Sequence, residues 1–293
     1  MPSTANKDPE SLDTVATNEA GNKTNSTADS TNTKDGNRMK RTNVIVGMAA
    51  IYASISFVIG FVLYTTVLRD AVNEELADSE RLRTIQENEQ VYYLSNSIFY
   101  ILFGVAQLVL TIGISESSRL SDSSSLMAPV TQSLGIVWVV LVVAAGMIGN
   151  VGTKASLEML ADADSANDST AVSDAAISLW IVTRTLHTSL GGGNEIIGGL
   201  WVLFVSWSNY PSLRNPRRDV NCDSSSQTTA TTYKNLLFYK IECMIGICSG
   251  VVGVVSTVPI LSDAGAAFGV LMILWYMMLG IRYTCLVRAS TYF

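Results

Sequence analysis

Two side chains in one largely apolar stretch could move a proton or hold a cation. His187 is the only histidine in the chain. Glu195 follows it after the triple glycine Gly191, Gly192 and Gly193, in DAAISLWIVTRTLHTSLGGGNEIIGGLWVLFVSWSNY. Arg184, His187 or Thr188, Gly191 and Glu195 recur at spacings of three or four, so in a helix they share one face. They do not touch along that face, because Arg184 and Glu195 are separated by roughly 16 Å of helical rise.

A charged carboxylate at mid-membrane depth costs several kcal/mol, so Glu195 needs either a partner on another helix or a proton of its own. Matching depths offers Ser56, Gln107 and Tyr276 as neighbours. None is a cation, so Glu195 is expected to be neutral or reached by water, facing the bundle interior. His187 has the chemistry of a proton-linked sensor, although an interfacial histidine serves equally well as a plain hydrogen-bonding residue. The three glycines allow either close helix packing or a break that bares backbone groups to a cavity; packing is the simpler reading.

The elements that would hold these residues follow from composition. Apolar residues make up 48% of the 293 positions and charged residues only 15%, with a mean hydropathy of +0.31. The apolar residues are gathered in runs of about 20, the number needed to cross a hydrocarbon layer of roughly 30 Å at 1.5 Å per residue. Six such runs are expected as helices over residues 44–67, 91–114, 126–148, 175–207, 241–260 and 264–287. Lipid leaves the backbone no other open structure, and the alternating pattern of a barrel is missing. The expected fold is an all-α integral membrane six-helix bundle at 43–288. Residues 1–42 are rich in Ser, Thr, Asn, Asp and Lys, which predicts a disordered cytoplasmic tail that is neither a signal nor a transit peptide.

Orientation follows from the tendency of Lys and Arg to remain inside. Arg38, Lys40 and Arg41, then Arg214, Arg217 and Arg218, and finally Arg288 mark the cytoplasmic ends. The opposite loops carry Asp70, Glu74, Glu75, Asp78, Glu80, Glu87 and Glu89, then Glu158, Asp162, Asp164, Asp168 and Asp174, although Arg69, Arg81 and Arg83 dilute the first. Both termini are therefore expected inside a plasma or inner cell membrane. In the first outer loop, Val72, Leu76, Leu82 and Ile85 have helical spacing, as for a solvated helical connection or a short lid. Asn167-Asp168-Ser169 has the form of a glycosylation sequon on the outer side.

The net charge of −6 and the absence of a basic stripe argue against a nucleic-acid partner. Cys222, Cys243, Cys248 and Cys285 form no CxxC pair and are expected as free thiols without metal. At the inner edge, Lys240, Glu242 and Arg282 are expected as interface anchors, with Glu242 and Arg282 placed to form an ion pair. Gly246, Gly250 and Gly253 make a small-residue ridge for close helix approach. No inverted repeat relates the two halves.

The segment GGGNEIIGGLWVLFVSW, with the paired short helices after it, resembles an uncharacterised family of small multi-pass bacterial membrane proteins of unknown function. The resemblance covers helices two to six and leaves out the tail. It implies a bundle of six to seven helices and assigns no activity, so no catalytic residue is carried over.

One histidine cannot build the multi-histidine site of a membrane oxidase, and neither a nucleophile elbow nor a phosphate loop is present. The chain is therefore read as no enzyme and as needing no cofactor. Its expected role is that of an accessory or structural subunit, in contact with the lipid bilayer and with a membrane-protein partner or further copies of itself. The alternative is a transporter or channel for an ion or small molecule, using the polar face of the fourth helix. The candidate polar site is Glu195, His187, Arg184, Gln107 and Tyr276, with Gly191, Gly192 and Gly193 as the helix break or close-packing point.

Overall fold

The computed structural model describes residues 25–121, 126–165, 170–192, 195–210, 226–256 and 264–286, with Val258 and Ile260 between the last two. Among these residues every regular element is helical. In chain order they are α1 (Asn25–Thr65), α2 (Arg69–Val72), α3 (Asp78–Glu87), α4 (Glu89–Asn96), α5 (Phe103–Ser121), α6 (Met127–Ser165), α7 (Thr170–His187), α8 (Glu195–Asn209), α9 (Ser226–Val255) and α10 (Ala264–Ile281). Three π-helical segments lie at their ends: Ser97–Leu102 joins α4 to α5, Thr188–Gly192 extends α7, and Arg282–Leu286 extends α10.

Five helices are long and apolar enough to cross a membrane: Arg41–Thr65, Glu89–Ser117, Met127–Ser165, Leu236–Val255 and Ala264–Thr284. Their outward faces carry bare aliphatic side chains such as Met48, Val140, Met244 and Val270. In water so broad an apolar surface would drive association, whereas lipid solvates it without penalty. The fold is that of an all-helical membrane protein.

Several boundaries differ from those the sequence predicts. The span expected at 175–207 holds α7 up to His187, a π segment over Thr188–Gly192 and α8 from Glu195, with residues 193–194 outside the described residues. Glycine places no side chain against its neighbours and gives the α-helix little support, so α7 gives way to the π segment beside residues of low helix propensity. The third span was placed at 126–148, but α6 continues to Ser165. At 39 residues it is about 58 Å long, nearly twice the thickness of the hydrocarbon layer. Its distal half is therefore polar-ended and pairs with α7, which returns along it. Within the stretch expected to be disordered, residues 25–42 are the start of α1. The compact unit that ends at Met39 takes in the first part of that helix, and the unit from Lys40 onward holds the spans.

Two cores form. The larger lies inside the bundle, around Trp138, Trp201, Trp275, Tyr276, Phe103, Met272 and Leu279. Its rings meet largely edge to face, as Phe57 does on Phe99 and Phe103 and Trp201 on Trp275, the arrangement favoured by the ring quadrupole. The smaller gathers Leu68, Leu82, Ile85, Leu157, Leu160, Ala176 and Trp180. This second core is why α2 and α3 exist. Of the four apolar residues noted in that loop, Leu82 and Ile85 are buried and Val72 is exposed, because the chain leaves the helix between Val72 and Asp78. Asp78 and Glu80 open α3, where carboxylates suit the positive end of the helix dipole.

Glycine allows helices to touch backbone to backbone at one interface. A Cβ on Gly199 would lie 2.8 Å from the Gly250 carbonyl oxygen, and one on Gly250 would lie 2.6 Å from that of Gly199. Thus the ridge noted on α9 receives α8, which carries a matching glycine.

Candidate functional site

Where the smaller core meets the bundle, a cavity of about 280 Å³ opens between α1, α2, α3, α4, α6 and α7. Its polar lining is Arg81, Arg184, Glu74, His187, Thr153 and Thr183. Arg81 leaves α3 on the same side as Leu82 and Ile85 and is buried with them. Its Nε donates to the Ala71 carbonyl at 3.1 Å and its guanidinium pairs with Asp78 at 3.4 Å. The Arg81 guanidinium lies 5.4 Å, and that of Arg184 5.9 Å, from the centre of the Trp180 ring. Each is held by the negative face of the indole. Burial first, and then the neighbouring Arg184, push the Arg81 guanidinium below its ordinary range, with Asp78 and Glu74 acting the other way. An arginine starts so far above neutrality that it stays a cation.

Arg184 is only partly exposed and donates to Glu74 at 2.8 Å, while the Glu74 side chain is 81% exposed. That ion pair is at the rim, where water screens it and its net strength is small. His187 closes the deep end. Its ring stands edge-on to Tyr100 at 4.6 Å, and its buried Nε2 has no hydrogen-bond partner within the protein.

A second cavity, of about 300 Å³, lies between α1, α5, α6, α10, Gly191 and the π segment of Phe99 and Tyr100, and opens at the bundle surface beside the exposed Phe61 and Val270. Its lining is aromatic and aliphatic, with Phe57, Phe61, Phe99, Phe103, Trp138 and Phe268. Tyr64 and Tyr100 line both cavities and form a side wall common to the two. Tyr64 is fixed in that wall by donating to Asn96 Oδ1 at 3.0 Å, and Asn96 in turn donates to Asn150 at 3.2 Å. Two π segments converge at this point, one supplying Phe99 and Tyr100, the other Thr188 and Gly191. A π turn shifts helical register locally and is common at functional sites.

The expected site residues divide into two groups. Arg184 and His187 share the polar cavity, and Gly191 lines the apolar one. Gln107 and Tyr276 instead meet each other in the larger core, with the Tyr276 hydroxyl donating to Gln107 Oε1 at 2.6 Å; they line neither cavity. The predicted contact of Glu195 with Ser56, Gln107 or Tyr276 falls on a side chain outside the described residues. The Ser56 hydroxyl donates to Ala53 within its own helix. Gly192 ends the π segment and Gly193 is outside the described residues.

Other expectations concern residues beyond this site. Arg282 pairs with Glu242 at 2.9 Å, as their depths suggested, and is flanked by Tyr239 and Tyr283. Cys243 and Cys248 are free thiols; Cys222, the side chain of Cys285 and the Asn167-Asp168-Ser169 sequon lie outside the described residues.

Sequence reasoning treated Arg81 as a loop charge that merely diluted the acidic end. Its spacing with Leu82 and Ile85 was the available signal, because residues 81 and 85 share the buried side of a helix. Trp180, one turn before Arg184, carried the same kind of signal.

Among the described residues the chain is thus all-helical, with five helices long and apolar enough to cross a membrane and a polar pocket adjoining an aromatic one. No family model, curated protein or solved structure matches this chain.

Proposed function

We propose that the chain is a non-catalytic, multi-pass protein of the cell membrane that binds, and by binding transports or senses, a small molecule entering through the polar cavity of Arg81, Arg184 and His187. The observation that carries this reading is the adjacency of that cavity to the aromatic one along Tyr64 and Tyr100. Paired cavities near the lower end of the roughly 300–1,000 Å³ typical of ligand sites are more space than a close-packed scaffold needs.

The topology proposed with it has six crossings and both termini in the cytoplasm, the fourth crossing being made by the end of α7, its π segment and α8. A crossing helix broken at glycine is a common way to bare backbone groups to a solute. The basic clusters near Arg41, Arg217 and Arg288 support the orientation through the positive-inside tendency.

The test is access. Thr188 is exposed and lines the polar cavity. Thr188→Cys in right-side-out vesicles is expected to react with a membrane-impermeant sulfonate methanethiosulfonate added outside, above the background of the unaltered chain. No reaction from either side, with the thiol still titratable in detergent, would reject the reading.

An accessory subunit is the second reading. The closed Gln107–Tyr276 pair and the glycine contact of α8 with α9 favour it, because both fix helix register and neither opens to a ligand. Proton flux measured with a dye in proteoliposomes separates the two. Loss of flux in Glu195→Gln supports transport, whereas an absence of flux in the unaltered chain and the variant alike favours the accessory role.

A further inference from the structure

The two cavities differ in chemistry in a way that selects a ligand class, and this inference rests on the binding role proposed above. We infer that they take one anionic amphiphile: an oxyanion head, carboxylate or phosphate, between Arg81, Arg184 and His187, and a hydrocarbon chain along Phe57, Phe99, Phe103 and Phe268.

Both ends are argued from the lining. Two guanidiniums are held over a single indole ring at 5.4 and 5.9 Å, and a guanidinium fork matches the paired oxygens of a carboxylate or phosphate. The His187 Nε2 beside them has no partner within the protein, so a head there supplies one. Glu74, which holds Arg184 in the absence of a ligand, is mostly exposed and is readily displaced into water. The cavity next to this head site is walled by aromatic and aliphatic groups. A hydrophilic anion such as free phosphate would leave that cavity unfilled, and a neutral hydrocarbon would leave the guanidiniums facing only Glu74 and Asp78. A molecule with both parts satisfies both cavities.

The structure also supplies a position for a test. Gly269 on α10 lines the aromatic cavity, and a Cβ placed there meets nothing within 4 Å. Gly269→Leu therefore occupies the tail space without pushing on a neighbouring backbone, in a helix that tolerates leucine better than glycine.

The experiment uses the full chain in a neutral detergent and follows quenching of its tryptophans by dibromostearate, since Trp138 and Trp180 stand in the two cavities. The methyl ester of the same acid, a brominated phosphatidic acid and inorganic phosphate are the comparison probes. Saturable quenching by the acid is expected, with the ester weaker by about 10-fold or more, the value of one charge-assisted hydrogen bond. Arg184→Gln should weaken the acid by about the same factor and leave the ester unchanged. Gly269→Leu should abolish quenching by both. Glu74→Gln should strengthen binding, because it releases Arg184.

Tighter binding of phosphatidic acid than of stearate assigns the head to a phospholipid, and the reverse assigns it to a fatty acid. Equal quenching by acid and ester in the unaltered chain overturns the inference, as does weaker binding in Glu74→Gln or full binding in Gly269→Leu. Inorganic phosphate that protects the site while both amphiphiles fail to quench overturns it as well. In each of these cases, continued labelling of Thr188→Cys would show that the access on which the broader binding role rests is intact.

Discussion

At the scale of the residue, the charged groups of this protein are placed according to what each can reach. Arg184 and Glu74 meet where water reaches both. Glu242 and Arg282 meet inside, with only 3% and 15% of their side chains exposed. The second pair therefore has much more at stake when it is broken. Arg282→Ala leaves a buried carboxylate without its cation and is expected to cost about 3–5 kcal/mol. Replacing both partners, as in Glu242→Gln with Arg282→Met, should restore most of that loss. Thermal unfolding in detergent reads both, and a double variant as unstable as the single one would deny that the pair is the cause. Arg81→Ala is expected to cost about 1.5–3 kcal/mol through its bond to the Ala71 carbonyl, checked by the same melt. An unchanged midpoint would show that α3 does not depend on that bond. His187, Arg184 and Glu195 were legible as unusual from residue type alone, because few polar groups occur among so many apolar ones. Which of them share a cavity was not legible, since that depends on α3, whose sequence distance from α7 is about a hundred residues.

At the scale of the element, the helices divide by what their glycines meet. Gly250 lies against the backbone of α8, whereas Gly269 faces open space. Gly250→Leu must push α8 and α9 apart, with an expected cost above the roughly 1–3 kcal/mol typical of overpacking. Gly269→Ala should instead be neutral or stabilising by about 0.5–1 kcal/mol, the usual difference in helix propensity. Reversal of that order in thermal melts would mean that the α8–α9 approach is looser than described. The spans themselves were legible from run length, and five of the six predicted runs coincide with helices able to cross a membrane. That α7 gives way within the fourth run was foreshadowed by three consecutive glycines. Its π segment was not, because a local widening of the helix is set by the packing of Gly191 on Ala145 and Tyr100, which no local pattern encodes. The length of α6 was missed for a related reason: its distal half is amphipathic and polar-ended, and only α7 lying along it keeps it helical past the membrane.

At the scale of the whole molecule, α2 and α3 form a small folded cap whose core they share with α6 and α7. The cap has a packed core of its own, and Leu82→Ala, which empties a fully buried site, is expected to cost about 2–5 kcal/mol. That loss should be visible as easier proteolysis of the α2–α3 region under native conditions, while the spans stay protected by detergent. Equal protection in variant and unaltered chain would place that region outside the cap. Beyond such tests, the amino-acid order by itself determined the helices long and apolar enough to cross a membrane, because long uncharged runs in lipid leave the backbone no other partner than itself. It also determined which few polar residues must be accounted for. Tertiary structure alone decided that Arg81 joins Arg184 above Trp180, and that Gln107 turns to Tyr276. It also set an aromatic cavity beside a cationic one. Side chains distant in sequence acquire a common environment only when the helices between them have packed, and that packing is decided by shape across many helices at once.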